Sequence, residues 1–155
     1  MGSPSKLFRL GTAAHPVWDG AGAATQGGRW NSPGIAVIYA ASTQSLAMLE
    51  RLMQRRNLSR TLLVEAELPP DLAVEDLMER PPPNWRALGS PEAAAAGGAW
   101  ATAARTLLLR VPSALVPREA NYVVNPAHPD AQRIKVGAPE PLEWDARLFG
   151  VPLPA

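Results

Sequence analysis

The apolar positions of the chain switch between two periods, and the switches mark its elements. Residues 7–10 read as a first strand. Residues 35–41 (Ile35, Ala36, Val37, Ile38, Tyr39, Ala40, Ala41) form a nearly continuous apolar run bounded upstream by Ser32-Pro33-Gly34, which predicts a buried central strand. After it, Leu46, Leu49, Leu52 and Met53 recur at helical spacing. Ser42 or Thr43 is the expected cap of that helix, and Arg55 and Arg56 suit the negative end of its dipole. Residues 61–68 predict another strand, stopped by Pro69-Pro70. Ser90-Pro91-Glu92 opens a second helix in the order cap, first-position proline, acidic first turn, and Gly97-Gly98 predicts a break in its middle. Residues 106–111, 122–124 and 133–136 supply three further short strands between proline turns.

Between the first strand and the apolar run lies a glycine-dense loop through Gly20, Gly22, Gly27 and Gly28 to Arg29. The 17 prolines and 12 glycines divide the chain into short elements, with no internal repeat and no long linker. The expected class is therefore α+β, a single compact domain over residues 1–155 with mixed or antiparallel sheets and flanking helices. Residues 1–5 are expected to be disordered or an appended remnant.

Composition narrows the function classes. With 46% hydrophobic and 19% charged residues the chain has the profile of a globular protein. Its 15 basic and 14 acidic residues nearly cancel, which disfavours a phosphate-backbone partner and with it direct nucleic-acid binding. Without cysteine there is neither a disulfide framework nor a thiolate metal site, and the isolated His15 and His128 offer little for zinc, so no metal is expected. No stretch approaches a membrane span or a secretory leader, and a cytoplasmic location is expected.

Five positions stand out chemically. Residues 27–34 place Arg29, a planar fork of donors, among glycines that let backbone approach a ligand closely, as a pyrophosphate loop requires; an ordinary turn with a solvated arginine has the same composition. Tyr39 alternates onto one strand face with Ile35 and Val37, where it is either an aromatic platform or a core tyrosine. Glu50 shares a helical stripe with Leu46 and Met53, which puts a carboxylate at the edge of the apolar face as a structural ion pair or a catalytic group. Ser113, after Arg110-Val111-Pro112, and Asn121 both sit beside strand ends, and no neighbouring histidine supports a serine nucleophile.

Taken in order, Phe8-Arg9-Leu10, residues 27–34 with Tyr39-Ala40, residues 46–50, Asn84-Trp85, residues 110–113 and residues 121–130 resemble the RES domain, a toxin family named for an arginine, a glutamate and a serine. The resemblance covers nearly the whole chain, although Ala131 departs from the aromatic expected after Asp130. It implies Arg29, Glu50, Tyr39 and Ser113 as catalytic residues, and Arg9, Gly28, Arg29, Trp30, Asn31, Tyr39, Ser113 and Asn121 around a bound NAD. It further implies a fold related to the ADP-ribosyltransferases, NAD as substrate with no prosthetic group, and a cognate Xre-like helix-turn-helix antitoxin covering the pocket.

On that reading, Glu50 stabilises oxocarbenium-like charge on the ribose while nicotinamide leaves neutral, so no strong general acid is needed. Arg29, assisted by Arg9, grips the pyrophosphate, Tyr39 flanks the nicotinamide, and Ser113 bonds a ribose or phosphate oxygen. The acceptor stays open between water, phosphate and a protein side chain. A non-catalytic nucleotide-binding module, with Glu50 merely pairing an arginine, and a ribonuclease toxin are the readings from other classes; near-neutral charge weighs against the second.

Overall fold

The computed structural model describes residues 3–150. Its strands are β1 (Lys6–Gly11), β2 (Ile38–Ala41), β3 (Leu62–Glu67), β4 (Val74–Asp76), β5 (Leu108–Pro112), β6 (Ala120–Val124), β7 (Lys135–Val136) and β8 (Glu140–Pro141). The helices are α1 (Ala21–Gln26), α2 (Gln44–Leu52) and α3 (Pro91–Ala103). The strands form one sheet in the order β4-β5-β6-β2-β1-β3-β7, with β8 pairing β3. Every pairing is antiparallel except β4 with β5. The chain is thus a mixed α/β domain, as the alternation of periods predicts.

Register assigns the two faces. Phe8 pairs with Ala41, Ala41 with Asn121, and Asn121 with Val111, so these four side chains share one face with Tyr39 and Val123. On that face α2 lays Leu46 and Ala47 against Ala41, Phe8 and Leu10. Farther along it, Ala93 and Trp100 of α3 join Val111, Val123, Leu109 and Trp30. The opposite face carries Leu7, Ile38, Ala40, Leu108, Tyr122 and Val124, covered by loops bearing Trp18, Leu72 and Met78. Leu108, Val111 and Val123 are wholly buried, and burial of each such side chain contributes about 1.5–3 kcal/mol.

Several expectations need correction. The glycine-dense loop contains α1, and β2 begins only at Ile38: the Ile35 N–H donates to the Ser32 carbonyl at 3.3 Å, closing a turn at Pro33-Gly34, and residues 35–37 pair with no strand of the sheet. Thr43, not Ser42, caps α2, accepting from the Leu46 N–H at 3.1 Å. Leu49 and Met53 face solvent, at 39% and 59% exposure, so the buried stripe of α2 is only Leu46 and Ala47. The strands β4 and β8 have no alternation of their own to announce them.

The expected break at Gly97-Gly98 is absent: α3 is continuous, capped by Ser90 through the Ala93 N–H at 3.1 Å. A Cβ on Gly97 would lie 1.8 Å from the Trp30 carbonyl oxygen. The glycine is where the helix backbone meets the arginine loop, and that contact offsets the roughly 1 kcal/mol by which glycine weakens a helix. At the start of the chain, Ser3 Oγ donates to Pro69 O at 3.3 Å and Ser5 O accepts from the Leu68 N–H at 2.9 Å, so residues 3–5 are tied down; Met1 and Gly2 lie outside the described residues.

Candidate functional site

Helical period and strand register together set the position of Glu50. It follows Leu46 and Ala47 by one turn on α2, at the edge of the face that packs on the sheet, and is half-buried there. Its Oε1 accepts from Ser113 Oγ at 2.8 Å and from Asn121 Nδ2 at 2.8 Å. Ser113 follows β5 and Asn121 lies in β6, so two adjacent strands hold one oxygen of a helix-borne carboxylate. Oε2 has no hydrogen-bond partner among the described residues.

Ser113 is fully buried and its hydroxyl is saturated. While donating to Glu50 it accepts the Leu115 and Val116 N–H groups at 3.2 and 3.1 Å, and its own N–H donates to Glu119 O at 3.0 Å. The serine is a fixed post between a turn and the carboxylate. Asn121 is half-buried on the shared face, diagonal to Tyr39 on the neighbouring strand.

The arginine loop is built around Tyr39. The tyrosine hydroxyl donates to Asn31 Oδ1 at 2.5 Å and accepts the Trp30 N–H at 3.0 Å. Asn31 Nδ2 in turn donates to the carbonyls of Ala23 and Ile35 at 2.8 and 3.0 Å. A Cβ on Gly28 would stand 2.7 Å from the tyrosine hydroxyl, so glycine is what lets the loop close over it. Burial pushes the Tyr39 hydroxyl up to about 12, against the smaller opposing effects of the Trp30 N–H and of the Arg29 and Arg9 charges. At neutral pH it is a phenol that orients the loop, not a base.

Trp30 and Asn31 are almost wholly inside, at 2% and 1% exposure, where they frame the loop. Trp30 stacks on Trp85 with ring centroids 6.2 Å apart and planes 21° apart. Arg29 is half-buried, and its Nη1 donates to the carbonyls of Trp85 at 2.7 Å and Ala87 at 2.9 Å. The same loop reaches the other half of the site, where Arg86 Nε donates at 2.9 Å to the carbonyl of Ala114, next to Ser113. Arg29 and Glu50 are thus linked through a chain of contacts, from Arg29 to the Trp85 and Ala87 carbonyls, from Arg86 to the Ala114 carbonyl, and from Ser113 to Glu50.

Arg9 stands apart. It alternates with Phe8 and Leu10, which pack toward α2, so it belongs to the opposite face of β1 with Leu7. Its guanidinium donates through Nε to Val17 O at 2.5 Å and through Nη1 to Tyr39 O at 2.7 Å, and burial lowers its pKa. It touches the tyrosine through the backbone only. Residues 85–87 carry no chemical signature in the sequence beyond Asn84-Trp85 after three consecutive prolines, a rigid approach to an aromatic anchor.

Residues 6–145 match the RES domain family. The sequence is 40% identical over 137 residues to the Prs ADP-ribosylating toxin of Sphingobium sp. (strain YBL2), covering 84% of this chain and 85% of that protein. It is 41% identical over 141 residues to Toxin Res of Yersinia enterocolitica, covering 85% and 90%. The fold superposes on a chain of the Mycobacterium tuberculosis MbcT–MbcA toxin–antitoxin complex with a TM-score of 0.70 at 23% identity, covering 92% of this chain and 86% of that one, a likeness of fold alone. On the family match and these relatives together, the chain belongs to the RES domain family.

Proposed function

We propose that this chain is the toxin of a bacterial toxin–antitoxin pair and breaks the nicotinamide–ribose bond of NAD. The observation that carries the reading is the carboxylate of Glu50, held through one oxygen by Ser113 at the end of β5 and Asn121 in β6 while its other oxygen has no hydrogen-bond partner among the described residues. An oriented carboxylate beside the ribose stabilises the positive charge that develops on the sugar more than it stabilises the ground state. Nicotinamide departs neutral, which suits a site whose Tyr39 holds its proton.

Ser113 and Asn121 set the angle of Glu50, with the second face of the Asn121 amide available to a ribose hydroxyl. Arg29 holds the pyrophosphate, and Gly28 and Tyr39 shape the floor beside it. Arg9 acts at one remove, by fixing the Tyr39 backbone. A fold kinship with the ADP-ribosyltransferases, a cytoplasmic setting and an Xre-like antitoxin over the cleft complete the proposal; the structural relative is itself part of a toxin–antitoxin complex.

The acceptor distinguishes a glycohydrolase or phosphorylase from a protein ADP-ribosyltransferase, and the Sphingobium relative, named as an ADP-ribosylating toxin, favours the transferase as the second reading. Incubation of purified protein with NAD, with and without phosphate and with candidate acceptor proteins, followed by mass spectrometry, separates the three. Glu50→Gln is expected to abolish nicotinamide release in a folded protein. Full release by that variant refutes the role of the carboxylate, and NAD binding without any release by the wild type favours a non-catalytic module.

A further inference from the structure

We infer that the loop of residues 84–89 is a positioning element that presents one defined edge of the Arg29 guanidinium to the pyrophosphate, with Trp85 as its anchor. The inference rests on the reading of Arg29 as the pyrophosphate ligand and adds how that arginine is aimed.

A guanidinium carries five N–H donors in a plane. Nη1 has two, and both are engaged, one with the Trp85 carbonyl at 2.7 Å and the other with the Ala87 carbonyl at 2.9 Å. What remains is the edge formed by Nε and Nη2, the pair of parallel donors that matches two oxygens of a phosphate. Were the group free to rotate, any of its edges could meet the ligand, and ordering it would oppose binding. Two carbonyls of one loop remove that freedom in advance.

The loop is itself stiff. It follows Pro81-Pro82-Pro83, turns at Asn84 and Gly89 with φ of 56° and 66°, and closes successive turns through the Trp85, Ala87 and Ser90 N–H groups. Trp85 stacks on Trp30, the residue after Arg29, so carbonyl and guanidinium are referred to the same buried ring. Trp30 is in turn seated against the backbone of α3 at Gly97. On its far side the loop is moored to the Ser113 turn by Arg86. It thereby sets the spacing between the arginine and the Glu50 post, a span that a dinucleotide has to match.

The test uses ADP-ribose as a binding probe alongside turnover of NAD, with Trp85→Ala, Trp85→Phe, Arg29→Lys and the Trp85→Ala/Arg29→Lys double variant. Trp85→Ala is expected to weaken ADP-ribose binding and raise the KM for NAD by about ten-fold, the worth of a misaligned charge-assisted pair, with kcat changed far less. Trp85→Phe, which keeps a ring on Trp30, should recover most of that loss. Lysine has no planar edge to aim, so Trp85→Ala should add little in the Arg29→Lys protein. Unchanged ADP-ribose affinity in folded Trp85→Ala protein, or an effect that multiplies in full with Arg29→Lys, overturns the inference. Wild-type protein that binds ADP-ribose yet releases no nicotinamide refutes the proposed reaction alone; loss of that binding on Trp85→Ala still supports the loop's role. Wild-type protein that binds no ADP-ribose overturns the inference, and nicotinamide release then decides the proposed reaction separately.

Discussion

Replacing Asn121 by alanine removes one of the two donors that hold Glu50 Oε1 and leaves the other, Ser113, in place. Hydrogen bonds to a charged group are worth about 1.5–3 kcal/mol, or about ten- to hundred-fold if the interaction matters only in the transition state. Because Ser113 still grips the same oxygen, the lower half of that range is expected, so kcat for nicotinamide release should fall about ten-fold. The KM for NAD should move little, since a carboxylate that orients for the transition state contributes little to ground-state binding. Ser113→Ala strips the same oxygen of its other donor but also leaves the Leu115 and Val116 N–H groups without their acceptor, so it should lower the melting temperature where Asn121→Ala does not. Combined, the two should cost more than the sum of the single changes, because each donor partly covers for the loss of the other. Chromatographic quantitation of nicotinamide against time, with thermal melts as the control for folding, gives all of these quantities. Wild-type kcat in a folded Asn121→Ala protein would refute the clamp, and a raised KM at constant kcat would move Asn121 from orienting the carboxylate to gripping the nucleotide.

Gly97→Ala should destabilise the domain by about 3 kcal/mol or more in chemical denaturation, because the new Cβ meets a backbone oxygen at 1.8 Å that cannot rotate aside; a neutral result would show that α3 and the arginine loop slide freely. Gly28→Ala pushes at 2.7 Å on the Tyr39 hydroxyl and should lower both stability, by about 1–3 kcal/mol, and affinity for ADP-ribose, as read by calorimetry. Tyr39 also predicts an alkaline effect of definite sign. Its folded pKa, about 12, lies above the unfolded value of 10.0, so its contribution is intact below pH 10 and is lost as the pH rises from 10 to 12. The loss is about 2–3 kcal/mol, and it should be missing from Tyr39→Phe in unfolding curves measured across that range; equal alkaline slopes for the two proteins would contradict it.

The elements that rest on local chemistry are visible in the sequence. The cap and first turn of α3 are set by Ser90, Pro91 and Glu92 among themselves, and β2 by an apolar run that has nowhere to go but the core. The setting of Glu50 one turn from Leu46 follows from helical period, but the buried stripe it borders runs through Leu46 and Ala47 and not, as the spacing suggests, through Met53. The outward Leu49 and Met53 do not follow, because which flank of a helix meets a sheet depends on where the sheet is. The two-residue β8 and the three-residue β4 owe their existence to a neighbour's free edge, which no pattern within them records.

By itself the sequence determined that Glu50 sits at the margin of a helix face, that a glycine loop carries Arg29 and that Tyr39 lies within the central strand, because period, turn chemistry and capping act over a few residues. Only the tertiary structure decided what those groups hold. Glu50 meets Ser113 and Asn121 across 63 and 71 residues because β5 and β6 pair in one register, and Arg29 meets Trp85 and Ala87 across 56 and 58 because Trp30 stacks on Trp85 beneath α3. Hydrogen bonds between remote residues depend on strand order and close packing, and those are properties of the whole chain once folded.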